Sequence, residues 1–126
     1  MDYTRFRLRR GLIEIISDIP DNITITDVQV IVNLVDKVKK LYHELTEVPF
    51  EYSSEATVEE HSDLIDIFSK TLSLLENIFQ AMLLSFRSGN LDYKIEENSI
   101  KIRDELIKQL QGGSITSKLL TKFSIK

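Results

Sequence analysis

Residues 54–90, SEATVEEHSDLIDIFSKTLSLLENIFQAMLLSFRSGN, decide the architecture. Thr57 and Glu60 have the spacing of a capping box, in which the N-cap and N3 side chains satisfy each other's free backbone N–H groups. Gly89-Asn90 supplies the residue types that end helices. The roughly 30 residues between them contain no Gly or Pro, and at 1.5 Å per residue they make a helix of about 45 Å. One face carries Leu64, Phe68, Thr71, Leu72, Leu75, Phe79, Met82, Leu83 and Phe86, and a second, partial stripe carries Ile67, Leu74, Ile78 and Ala81. Apolar residues over so wide an arc require packing on two sides, which makes this the central helix. Leu72, Leu75 and Phe79 are expected in the core. Ile67, Leu74 and Ile78 are candidates for contact with a partner chain or for a second buried side.

Outward from that helix, the pattern repeats with shorter elements. Over 26–45 the apolar positions Val28, Ile31, Leu34, Val35, Val38, Leu41, Tyr42 and Leu45 keep steps of three and four, and Thr26 with Gln29 fits a second capping box. Over 4–17, Leu8, Leu12, Ile15 and Ile16 keep helical spacing until Pro20-Asp21-Asn22 stops it, with Gly11 a weak point. After a turn at 89–93, a fourth helix over 95–111 places Ile100, Arg103, Leu106, Ile107 and Leu110 on one side, and Gly112-Gly113 closes it. The expected fold is therefore all-α: a four-helix bundle-like domain over 1–111 with one long central helix. A Gly-Gly hinge and a basic, apolar C-terminal tail follow over 112–126.

The chain has 126 residues, 42% of them apolar, enough for one core. It has no Cys and two His, which removes disulfides, thiolate nucleophiles and thiolate metal sites. No G-x-S-x-G, G-x-G-x-x-G or P-loop occurs. His43 lies near a helix C-terminus and His61 among acidic residues, so both read as surface residues and not as bases. Glu59, Glu60, Asp63 and Asp66 lack the Glu-x-x-His spacing of a di-metal bundle and read as a solvated helix start. No cofactor, metal or catalytic residue is expected, and the protein is not read as an enzyme.

Charge is unevenly distributed. Residues 1–10 carry +3, residues 112–126 carry +3, and the middle carries −10, for a net −4. Phosphate repulsion disfavours nucleic acid on the body, leaving only the basic ends to touch it. Arg5, Arg7, Arg9 and Arg10, with Tyr3 and Phe6 between them, are candidate contacts to an acidic partner surface or to phosphate; the alternative is a solvated end. In the tail, Leu119, Leu120 and Phe123 are candidate partner-binding residues, docking as a short helix or added strand on this chain or on a neighbour. The N-terminal residues lack a signal-peptide core. The most apolar stretch, 64–86, contains Asp66, Lys70, Glu76 and Gln80, so a cytoplasmic protein without a membrane span is expected.

Three features resemble the helical domain of the GINS family, small subunits of the replicative helicase complex in archaea and eukaryotes. They are the Ile19-Pro20-Asp21 turn before a long helix, the central helix ending in Phe86-Arg87, and the acidic Ile95-Glu96-Glu97 opening of the last helix. The resemblance spans about residues 12–111. It implies a scaffold in DNA replication, whose partners are other protein subunits. Two departures stand beside it. The family places several basic residues where only Arg87 ends this helix. The thirteen residues after Gly113 are also too few for the family's small β-rich domain. A different reading is a small helical nucleic-acid accessory protein, such as the small subunit of an RNA-guided complex.

Overall fold

The computed structural model describes residues 3–47 and 55–112. Along the chain these form α1 (Tyr3–Ser17), β1 (Asn22–Thr24), one 3-10 turn (Ile25–Asp27), α2 (Val28–Thr46), α3 (Glu55–Arg87), β2 (Asp92–Lys94) and α4 (Glu97–Gly112). The all-α, bundle-like expectation holds: α1 packs on α2 and α4, and α3 packs on α2 and α4, so the four helices close a ring. The 33-residue α3 is the long central element.

The periodic positions build the core. Leu8, Leu12 and Ile16 of α1, Ile31, Leu34 and Val38 of α2, Leu64, Phe68, Leu75 and Met82 of α3, and Leu106 and Leu110 of α4 are all buried in one cluster. Each such side chain contributes about 1.5–3 kcal/mol on leaving water. Leu72 and Phe79, expected in the core, pack against it half-buried, and Leu83 is displaced to the surface at 37% exposure. Thr71, fully buried, donates to the carbonyl of Ile67 at 2.8 Å, so its hydroxyl is satisfied within the helix.

Gly11 is a contact point and not merely a weak one. A Cβ there would sit 3.0 Å from Leu41 Cδ1, so its absence lets α1 and α2 approach closely. Gly89, with φ +97°, occupies the left-handed position after α3. Its N–H donates to Phe86 O at 3.0 Å and the Asn90 N–H donates to Ser85 O at 3.2 Å, the paired bonds of a Schellman ending.

Two expectations change. Neither capping box forms: α3 begins at Glu55, so Thr57 lies inside it and not at its N-cap. In the second box, Thr26 lies in the 3-10 turn, and Asp27, the residue before α2, makes no side-chain cap bond. The reason lies next door, where the Ile25 N–H is drawn to Leu91 O at 2.8 Å. Thr24 Oγ1 donates instead to Asp27 Oδ2 at 2.8 Å. That pull belongs to the second change, an antiparallel pair of strands where only turns were expected. Ile23 sits opposite Tyr93, flanked by Asn22–Lys94 and Thr24–Asp92. The pair buries Ile23 and Ile95, and the Ile95 N–H extends the ladder to Asp21 O at 2.9 Å. Because Ile95 ends the ribbon, α4 starts at Glu97 and not at residue 95.

Candidate interaction surface

Helix α3 shows a seven-residue step along the flank it turns toward α2. Val58, Ile65, Leu72, Phe79 and Phe86 follow one another at that interval, which keeps side chains on one line of a helix packed against another. Leu72, Phe79 and Phe86 are half-buried, while Val58 and Ile65, at 37% and 39%, are exposed toward the start of α3 and Leu83 is exposed near its end. On α2, Tyr42 is 43% exposed and sets its ring edge-on to Phe68, centroids 5.7 Å apart and planes at 62°. Single exposed apolar residues are ordinary; a periodic row along a helix seam is not. Helical spacing placed Leu72, Phe79, Leu83 and Phe86 on the main apolar face and gave Val58 and Ile65 no place, because spacing alone does not separate the middle of an apolar arc from its edge. At the far end of α3, Leu84 and Leu91 are also well exposed, with Ile25 joined to Leu91 through the backbone.

The arginines of α1 divide between the interior and the surface. Arg5 is only 4% exposed, and its Nε and Nη2 both lie 3.1 Å from His61 Nδ1. A guanidinium only donates, so Nδ1 accepts and the imidazole carries its proton on Nε2. Burial first, and then the charge of Arg5, holds the His61 pKa below its usual value. Arg7 pairs with Glu44, and Arg9 reaches Glu60 at 3.3 Å. These contacts tie the start of α1 to the end of α2 and the start of α3. Arg10 is exposed. Arg5 is therefore unavailable to phosphate or to a partner's acidic face, and what the cluster presents outward is Arg7 and Arg10, with Arg9 mostly covered.

Ile67, Leu74 and Ile78 are buried in the protein's own core, so of the two alternatives they form the second buried side. His43 is exposed, 3.8 Å from Glu47. Among the described residues no group of three or more His, Cys, Asp or Glu is placed to hold a metal. No described helix is long and apolar enough to cross a membrane. Leu119, Leu120 and Phe123 lie outside the described residues.

Sequence reasoning gave Arg103 no role beyond its place on the helix. Its Nη1 donates to Asp21 Oδ1 at 2.7 Å and to Ile19 O at 3.1 Å, and its Nε donates to Asp104 at 3.1 Å. The bond to Asp21 raises its pKa further. It pins α4 to the turn after α1, and its basic character on an otherwise apolar side was the available signal. No protein-family model, curated protein or solved structure matches the chain.

Proposed function

We propose that this chain is a non-catalytic helical subunit that acts by packing against other protein chains. The observation that carries the reading is the apolar row along α3 that runs from exposed Val58 and Ile65 through half-buried Leu72 and Phe79 to exposed Leu83, with Tyr42 exposed on α2, left in water at a cost that a covering partner removes. The resemblance to the GINS helical domain then suggests the assembly, a scaffold of the replicative DNA helicase. The pairing of Arg7 with Glu44 and of Arg9 with Glu60, and the burial of Arg5, favour this reading over a nucleic-acid accessory role, because charges neutralised or covered within the protein release fewer counterions on binding phosphate.

The test is purification from the native cell with identification of what accompanies the chain, alongside a variant carrying Ile65→Glu and Leu83→Glu. Both sites are exposed, so the variant is expected to keep its helicity and stability while losing at least tenfold in association. Replication subunits among the partners would support the assembly named here. An unaltered association in the variant would remove the seam as the contact, and tight, salt-sensitive binding of single strands would favour the accessory role.

A further inference from the structure

We propose that the groove between α3 and α4 is the docking site of this chain's own C-terminal segment, residues 114–126. This inference uses the opposite flank of α3 from the α2–α3 seam and stands independently of the function proposed above.

The groove consists of two adjoining cavities of about 500 and 540 Å³ that share Lys70 on their walls. One begins at Asp63 and Gly112, and the other reaches Ala81 and Tyr93. Along α3 this is a run of about 27 Å at 1.5 Å per residue. Its space comes from short side chains, because Ser73, Ala81 and Ser99 stand where larger residues would fill the seam. Its floor is apolar, formed by Ile67 and Leu74, and Ile102 is 40% exposed on its α4 wall.

Three observations select the occupant. Gly112, the last described residue, lines the groove, so the chain leaves α4 at its mouth. Gly113 follows, a residue free to turn the chain back. The fourteen residues 113–126 reach at most about 46 Å when extended and about 21 Å as a helix, lengths that bracket the groove. Charge is complementary: Asp63, Asp66 and Glu105 outnumber Lys70 and Lys108 at the mouth, while the segment carries Lys118, Lys122 and Lys126 and no acid. Leu119, Leu120 and Phe123 supply the apolar face that the floor and Ile102 accept. Tethering at the mouth raises the effective concentration of the segment to the millimolar range, so weak contacts suffice.

The absence of Cys makes a clean test possible in the full chain. Thr121→Cys is combined either with Ser73→Cys in the groove or with Asp36→Cys on α2 as a control, both partners being exposed. Under mild oxidation in dilute solution, the groove pair is expected to form an intrachain disulfide at least tenfold faster than the control. Adding Leu120→Glu and Phe123→Glu should erase that difference. Equal rates would overturn the proposal, as would disulfides that form only between chains and speed up with concentration, which would make the occupant a second copy. Hydrogen exchange on the unsubstituted chain gives a second reading: amides of 114–126 should exchange at least tenfold more slowly than in the free peptide. Exchange at the free-peptide rate would also overturn it.

Discussion

The two flanks of α3 have the same inner lining and opposite outer edges. Toward α2, buried Phe68 and Leu75 are followed outward by Leu72, Phe79 and Ile65, so the seam stays apolar out to that row before exposed Ser69 and Glu76 begin. Toward α4, buried Leu74 and Ile78 give way at once to Ser73, Asn77 and Ala81, and the seam opens into a groove. Burial of the inner positions holds the monomer together; the outer ring decides what each seam can receive. An apolar rim suits a partner that covers it lastingly, since exposed apolar area favours association in proportion to the area removed from water. A polar groove with a narrow apolar floor suits a segment that comes and goes.

The sharpest way to break this contrast is to truncate the inner lining on each side. Leu75→Ala should cost about 3–5 kcal/mol, because tight packing leaves a cavity that cannot collapse. Leu74→Ala should cost less, about 2–3 kcal/mol, because the adjoining groove allows its neighbours to relax. Denaturant unfolding measures both, and equal losses would mean that the flanks are packed alike. Next in size is Arg5→Leu, expected to cost about 1–3 kcal/mol through loss of the bonds to His61 at the polar end of the apolar flank. A loss below about 0.5 kcal/mol would make that contact incidental.

Smaller effects sharpen the picture at the rim. Ile65→Ser should change the stability of the isolated chain by less than about 0.5 kcal/mol, as is usual for exposed positions, while weakening association. A large stability loss would place Ile65 in the core. The smallest effect expected is on pH dependence. His61 has a folded pKa below its unfolded value of 6.5, so below that pH the unfolded chain binds the proton more readily. Stability is then complete above about pH 6.5 and declines as the pH falls through 6.5 toward the lowered folded value. His61→Gln should flatten this part of a plot of unfolding midpoint against pH; an unchanged slope would assign the effect to another group.

Helices were legible because their signal accumulates. Five turns of threes and fours from Val28 to Leu45 leave little alternative, and the Gly89 ending is written in one residue. The strand pair was not legible, because three residues on each side offer no period to detect and the partners are far apart in sequence. Ile23-Thr24-Ile25-Thr26 alternates with β-branched residues, but so short a run is also compatible with a turn. The direction of Arg5 was hidden for a related reason. Four arginines in six residues look like a basic end, and only the folded arrangement brings His61 to one of them and Glu44 and Glu60 to two others. For Ile67, Leu74 and Ile78 the second stripe was visible, and the neighbour that covers it was not, since α4 returns along α3 only through the Gly89 turn.

That ribbon bears on the order in which the chain folds. β1 and β2 are separated by the whole of α2 and α3, so pairing Ile23 with Tyr93 closes a long loop, as the docking of α1 on α4 also does. Loop-closure entropy must be spent before so distant a contact returns anything, whereas helices and their sequential hairpins form from local contacts. The ribbon is therefore expected to lock after the rate-limiting step, once the helices have docked. Ile23→Val, a small truncation at a buried site, should leave the refolding rate within about twofold while speeding unfolding, the signature of an interaction absent from the transition state. A matching slowdown in refolding would put the ribbon in the nucleus instead. On this account the two short strands act as a latch on the time the bundle stays closed.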